Sequence, residues 1–175
     1  LTLAKNFAQL GKRVLIIDAD LRNPSLHRAL GLENNAGLSN YLAGASKATE
    51  VIQATDTPHL MFMPTGPLPP NPAELLMGPK MLSLITIAAE KFDQVIIDGP
   101  PVLGLADAPI LANAMEGTLV VISSATTKIG AAQAALKRYE ERRLPPTARI
   151  VESNRRKGID VMLDIVEQRA PQGFT

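Results

Sequence analysis

Three runs of consecutive apolar residues, Val14-Leu15-Ile16-Ile17, Val95-Ile96-Ile97 and Leu119-Val120-Val121-Ile122, punctuate the chain. Each has the length and β-branched content of a strand buried on both faces. A fourth run, Leu60-Met61-Phe62-Met63, is closed by Pro64. Between the runs, apolar residues recur at helical spacing. Leu3, Phe7 and Leu10 predict a helix over 1–10 that stops at Gly11, and 81–90, 106–115 and 128–143 read as further helices. Shorter helical pieces are expected over 24–31, with Pro24 in the first turn and Gly31 as the stop, over 37–44, and within 48–54. The proline-rich stretch 66–72 is a stiff loop, and Asn71 then caps a helix with Pro72 at its first position and Glu74 placed for a capping box. Farther on, Pro145-Pro146 end the long helix, 149–151 suits a short strand, and Ile159, Met162, Leu163 and Val166 share one helical face.

Strands alternating with helices place the chain in the α/β class, as a doubly wound, mostly parallel sheet flanked by helices. The pattern is that of one domain over 1–175, with 144–175 a tail whose packing it does not specify. Composition agrees: 175 residues, 46% hydrophobic and 20% charged, suit an ordinary globular domain with a full core. A net charge of +1 supplies no strong field for nucleic acid, and 3% aromatics without tryptophan supply no base-stacking platform. Cysteine is absent, which excludes disulfides and thiolate chemistry. No run of apolar residues is long enough to span a bilayer. The chain opens at Leu1 inside a helical pattern and without an initiating methionine, so further residues are expected upstream.

The chemistry-bearing residues gather where the apolar runs end. Val14-Leu15-Ile16-Ile17 leads into Asp18-Ala19-Asp20, and Val95-Ile96-Ile97 into Asp98-Gly99-Pro100-Pro101. Ligands of open α/β sheets sit at the C-terminal ends of the strands. If strand geometry persists past Asp18, the carboxylates of Asp18 and Asp20 point to the same side. Two like charges so close call for a cation, and a divalent metal carrying a phosphate is the natural candidate. Two strands of this shape resemble those of phosphoryl-transferring P-loop proteins, and the resemblance makes Asp98 the candidate metal carboxylate of the second strand, with a turn cap as the plain alternative. Arg22 suits either a phosphate contact or an ion pair with a neighbouring acid. His27 and His59 lack companions at zinc spacing. The basic pairs Lys137-Arg138 and Arg142-Arg143 favour a helix C-terminus and need no nucleic-acid partner. Of the two tyrosines, Tyr41 and Tyr139, the second reads as a packing residue of the long helix.

In combination these segments are more specific than any one of them. Residues 14–24, Val-Leu-Ile-Ile-Asp-Ala-Asp-Leu-Arg-Asn-Pro, resemble the second Walker-A-like motif of the bacterial tyrosine kinases that act in capsule and exopolysaccharide production. Residues 95–101 resemble their Walker B motif, 66–76 their proline-rich segment, and Asp107-Ala108-Pro109-Ile110 also fits. The resemblance covers about residues 3–140. It implies a three-layer, P-loop NTPase-like fold and a kinase that transfers the γ-phosphate of ATP to tyrosine with Mg2+. Asp18 would stand by the tyrosine hydroxyl and the metal shell, accepting or orienting the phenolic proton. Asp20 would be an outer-shell metal ligand, and Asp98 the Walker B carboxylate holding the metal through water. Arg22 and Asn154 would contact the nucleotide, Asn154 at its base. The implied partners are a membrane activator or chain-length determinant domain, fused or separate, further copies of the chain in a homo-oligomer, and a tyrosine-containing protein substrate. The implied location is the cytoplasmic face of the inner membrane.

Three departures accompany the resemblance. The Walker A pattern Gly-x-x-x-x-Gly-Lys-Ser/Thr is absent from these residues, and the family places it just before the helix that opens the chain. Residues 1–175 alone are therefore expected to bind Mg-ATP poorly and not to transfer phosphate. The end of the chain lacks the family's tyrosine cluster, and 149–154 matches poorly the strand that leads to the base-contacting Asn. Two other readings stay open: a partitioning or cell-division-type ATPase of the same P-loop lineage, and a non-catalytic assembly module.

Overall fold

The computed structural model describes residues 1–101 and 107–121, together with Gly130, Gln133, Ala134 and Lys137. The chain divides into two compact units, Leu1–Glu116 and Gly117–Thr175.

The first unit is built on β1 (Val14–Asp18), all five of whose residues are buried. Its neighbours are β3 (Leu60–Met63) and β4 (Gln94–Asp98), both parallel to it, and the two-residue β2 (Gln53–Ala54) pairs antiparallel with β3. The order across the sheet is β2-β3-β1-β4, so the expected mostly parallel sheet is present with β1 inside it. Because side chains alternate along a strand, β1 feeds two cores. Val14 and Ile16 pack with Leu60 and Phe62 against Ala4 and Ala8 of α1 (Thr2–Gln9) and Leu26 of α2 (Leu26–Leu30). On the opposite face, Leu15 and Ile17 join Leu42 of α3 (Leu38–Ala43), Val51 of α4 (Ala48–Val51) and Leu76 of α5 (Pro72–Met77). The same cluster takes Met81, Leu84 and Ala88 of α6 (Pro79–Lys91) and Leu111 of α7 (Asp107–Ala114). Helices on both faces of a sheet make the three layers.

Two expectations need correction. The buried face of α1 is Ala4 and Ala8, while Leu3 and Leu10 are 43% and 76% exposed. Alanines four apart let the helix backbone approach the sheet, a packing role that counting large apolar residues overlooks. Within the expected third strand, residues 117–121 adopt no strand, and Leu119 and Val121 are exposed. A run of β-branched residues carries only propensity, and a strand exists when a ladder forms. Gly130, Gln133, Ala134 and Lys137 are helical, as expected for 128–143. The short strand at 149–151, the helix over 159–168, Tyr139 and Asn154 lie outside the described residues.

Candidate functional site

β1 ends at Asp18, so strand geometry does not carry through to Asp20. The chain turns at once, with the Leu21 amide donating to the Ala19 carbonyl at 3.0 Å. The two carboxylates consequently do different work. Asp18 is fully buried, and its Oδ2 accepts from the amides of Ser25 at 3.2 Å and Leu26 at 3.1 Å, the start of α2. Its Oδ1 accepts from the Asp20 amide at 3.3 Å. Asp20 Oδ1 takes the amides of Arg22 at 3.1 Å and Asn23 at 2.9 Å, an Asx-type turn that leaves Oδ2 without a hydrogen bond among the described residues. Pro24 therefore precedes α2 instead of opening it, since Ser25 is the N-cap. Burial pushes the Asp18 carboxyl above its ordinary value, against the pull of these amides.

Asp98 reaches the same place from β4. The parallel register sets it opposite Asp18, and its carbonyl accepts from the Ala19 amide at 2.8 Å. Its carboxylate is half-buried and has no hydrogen-bond or ion-pair partner among the described residues. Desolvation pushes it up, and the charges of Asp18 and then Asp20 push it further. α1 leads through the 10–13 turn into β1 and packs back along it, so its N-terminal end lies toward the strand ends that carry the aspartates. No three His, Asp or Glu side chains among the described residues are arranged to enclose a metal directly. A half-buried carboxylate beside two others, with none of its acceptor sites used, nevertheless suits a cation held through its water shell.

Two further residues belong to this neighbourhood. Thr65, buried in the turn after β3, donates its hydroxyl to the Asp18 carbonyl at 2.9 Å. Arg22 reaches Asp107, giving Nε to Oδ2 at 2.6 Å and Nη2 to Oδ1 at 3.3 Å. Of the two roles open to Arg22 from sequence, the geometry shows the ion pair with an acid. Thr65 carries no signal of its own in the sequence, and Asp107 was legible only as part of a motif. Among the described residues, His27, whose buried Nδ1 has no hydrogen-bond partner there, and His59, in a turn with φ 66°, join no metal cluster.

The turn at Thr65 is fixed by contacts between 34–40 and 64–66. Leu38 and Ser39 amides donate to the carbonyls of Pro64 and Thr65 at 2.8 and 2.9 Å, and the Gly66 amide donates to Asn34 Oδ1 at 2.7 Å. Gly66 has φ +77°, and a side chain on Gly37 would run into the Pro64 carbonyl. These glycines permit the close approach that brings Thr65 beneath Asp18. The proline-rich loop that follows leads into α5, whose Pro72 opens the helix as expected.

Comparison with known proteins now adds the family. The model of the AAA domain family matches residues 1–138. The tyrosine-protein kinase YwqD of Bacillus subtilis is 48% identical over 126 residues, 72% of this chain and 53% of that protein. The chain thus spans about half the length of that relative. Among solved structures, the kinase domain of the Escherichia coli tyrosine kinase ETK is similar with a TM-score of 0.77 and 35% identity, over 81% of this chain and 55% of that one. The septum site-determining protein MinD of Pyrococcus horikoshii, complexed with Mg-ADP, gives 0.50 and 27%, over 58% of this chain and 42% of that one. The chain belongs to the AAA domain family, and its relatives include bacterial tyrosine-protein kinases that match it in sequence and in fold.

Proposed function

We propose that this chain forms the carboxylate side of the ATP site of a protein-tyrosine kinase acting in capsule or exopolysaccharide biosynthesis. The observation that carries the proposal is the pairing of Asp18 with Asp98 at the ends of adjacent parallel strands. Bound Mg-ATP would supply the phosphoryl group and the charge neutralisation that its loose transition state requires. Asp98 would hold the metal's water shell, because its carboxylate, raised by burial and then by the charges of Asp18 and Asp20, has no partner among the described residues and gains most from an adjacent cation. Asp20 would lend Oδ2 to the same shell while Oδ1 keeps the turn closed. Asp18 would receive or orient the proton of the acceptor phenol. Its upward-pushed carboxyl is a stronger base than a solvated one, which narrows the gap to a phenol.

The Arg22 guanidinium is engaged by Asp107, while the contact of Asn154 with the nucleotide rests on the family resemblance. So do the membrane activator, fused or separate, the homo-oligomer and the tyrosine-containing substrate. Relatives of which this chain matches only 19% of the length support a further domain. No helix among the described residues is long and apolar enough to cross a membrane, and the proposed location is the cytoplasmic face of the inner membrane, next to such a partner. The higher similarity to the ETK kinase domain than to MinD favours tyrosine phosphorylation over a partitioning-type ATPase.

Incubating the intact natural protein with Mg-ATP and probing for phosphotyrosine tests the reading. Labelling of the protein or an added partner, lost in Asp18→Asn, is expected. ATP hydrolysis with no labelled tyrosine anywhere would overturn the kinase assignment.

A further inference from the structure

We infer that Asp107 is a positioning residue of this site, holding the Asp20 turn against the start of α7 through the guanidinium of Arg22. Its kinetic consequences rest on the proposed function; the clip itself rests on geometry alone.

Asp107 is the first residue of α7 and only 1% exposed. A carboxylate in that position gains from the positive end of its own helix, but that gain is smaller than the cost of burying an unpaired charge. It receives two N–H groups from Arg22, at 2.6 and 3.3 Å, in the fork geometry that fixes orientation as well as distance. Arg22 also donates its backbone amide to Asp20 Oδ1 at 3.1 Å. One residue therefore closes the Asp20 turn with its main chain and anchors that turn, with its side chain, to a segment far along the sequence. That segment follows β4 and Asp98. The exits of the two carboxylate strands are thus tied twice, by the Asp18–Asp98 register and by Arg22–Asp107 beyond it.

A packed apolar pair would join two loops without the desolvation cost of a buried charge. What the ion pair adds is direction, and direction matters where Asp20 Oδ2 must stand at a set distance from Asp98. Loss of either partner should slacken the turn and slow phosphate transfer, with little effect on ATP affinity set elsewhere in the site.

The test is a double-mutant cycle in the intact natural protein with Asp107→Asn, Arg22→Gln and both together. Turnover and hydrogen exchange of peptides covering 20–26 are followed. Each single variant is expected to lower kcat about tenfold with KM for ATP within about twofold, and the double variant to be no slower than the worse single. Exchange over 20–26 should quicken equally in all three and stay unchanged in β1. Arg22→Lys keeps the charge but loses the fork, so it should retain the melting midpoint while losing kcat as Gln does. Multiplying kcat losses, unchanged exchange over 20–26, or full activity of Arg22→Lys would overturn the inference. A wild-type protein that neither turns over ATP nor labels tyrosine would sink the kinase reading, and the exchange cycle would still decide whether the clip exists.

Discussion

Asp18 and Asp98 face each other as register partners, each the last residue of its strand, in the parallel pairing of β1 and β4. Neighbouring strands run about 4.8 Å apart, so two carboxylates are held side by side with little freedom to separate. Amides of the β1–α2 connection satisfy Asp18, whereas Asp98 has, among the described residues, the like charges of Asp18 and Asp20 for company. An arrangement that raises a carboxyl and leaves it unpartnered does not stabilise the fold. Its value is realised when a cation arrives.

The turn that supports Asp18 from behind is testable through Thr65. Thr65→Val removes the hydroxyl that satisfies the Asp18 carbonyl and leaves that carbonyl buried. A loss of about 1–2 kcal/mol in denaturant unfolding is expected, with the slope unchanged.

Gly37→Ala should be more damaging. The added methyl would meet the Pro64 carbonyl and the Gly66 amide, both main-chain groups that cannot swing aside. Destabilisation of about 2–3 kcal/mol is expected, together with faster hydrogen exchange at Leu38 and Ser39, whose amides hold the 64–66 turn.

Acid separates two kinds of carboxylate. Arg13 grips Asp93 at 2.7 Å at the opposite end of β1 and β4, and its hydrogen bonds hold the Asp93 carboxyl down to about 2 from 3.8. That contribution is complete above 3.8 and is lost as pH falls toward 2. Asp18 and Asp98 are raised, so their protonation favours the folded state: their contribution is complete below 3.8 and is lost as pH rises through the raised values. Asp93→Asn should remove the loss of stability between pH 3.8 and 2, and added salt should reduce it in the wild type because the pair is exposed. A pH titration of the melting midpoint reads both effects.

Much of this was legible in the residues. The runs at 14–17, 60–63 and 95–97 became strands because each is short, apolar and stopped by an aspartate or a proline. Gly31 and Gly44 ended their helices at positive φ, as their positions after the last helical residue imply. The site was legible as three aspartates at strand ends, but their division of labour was not. Whether Asp20 continues a strand or closes a turn depends on amides at 22 and 23 that have no composition signal. Asp107 and Thr65 act across long sequence separations, which periodicity cannot register. Alanines 4 and 8 were missed because small residues that allow close packing look neutral in a hydrophobic pattern.

The most direct measurement compares wild-type and Asp98→Asn intact protein for Mg-ATP turnover, phosphotyrosine formation and melting midpoint. Removing a carboxylate that its neighbours repel should leave the midpoint unchanged or raise it, while turnover and tyrosine labelling fall by about 100-fold or more. An Asp98→Asn protein that still labels tyrosine at the wild-type rate would contradict the account.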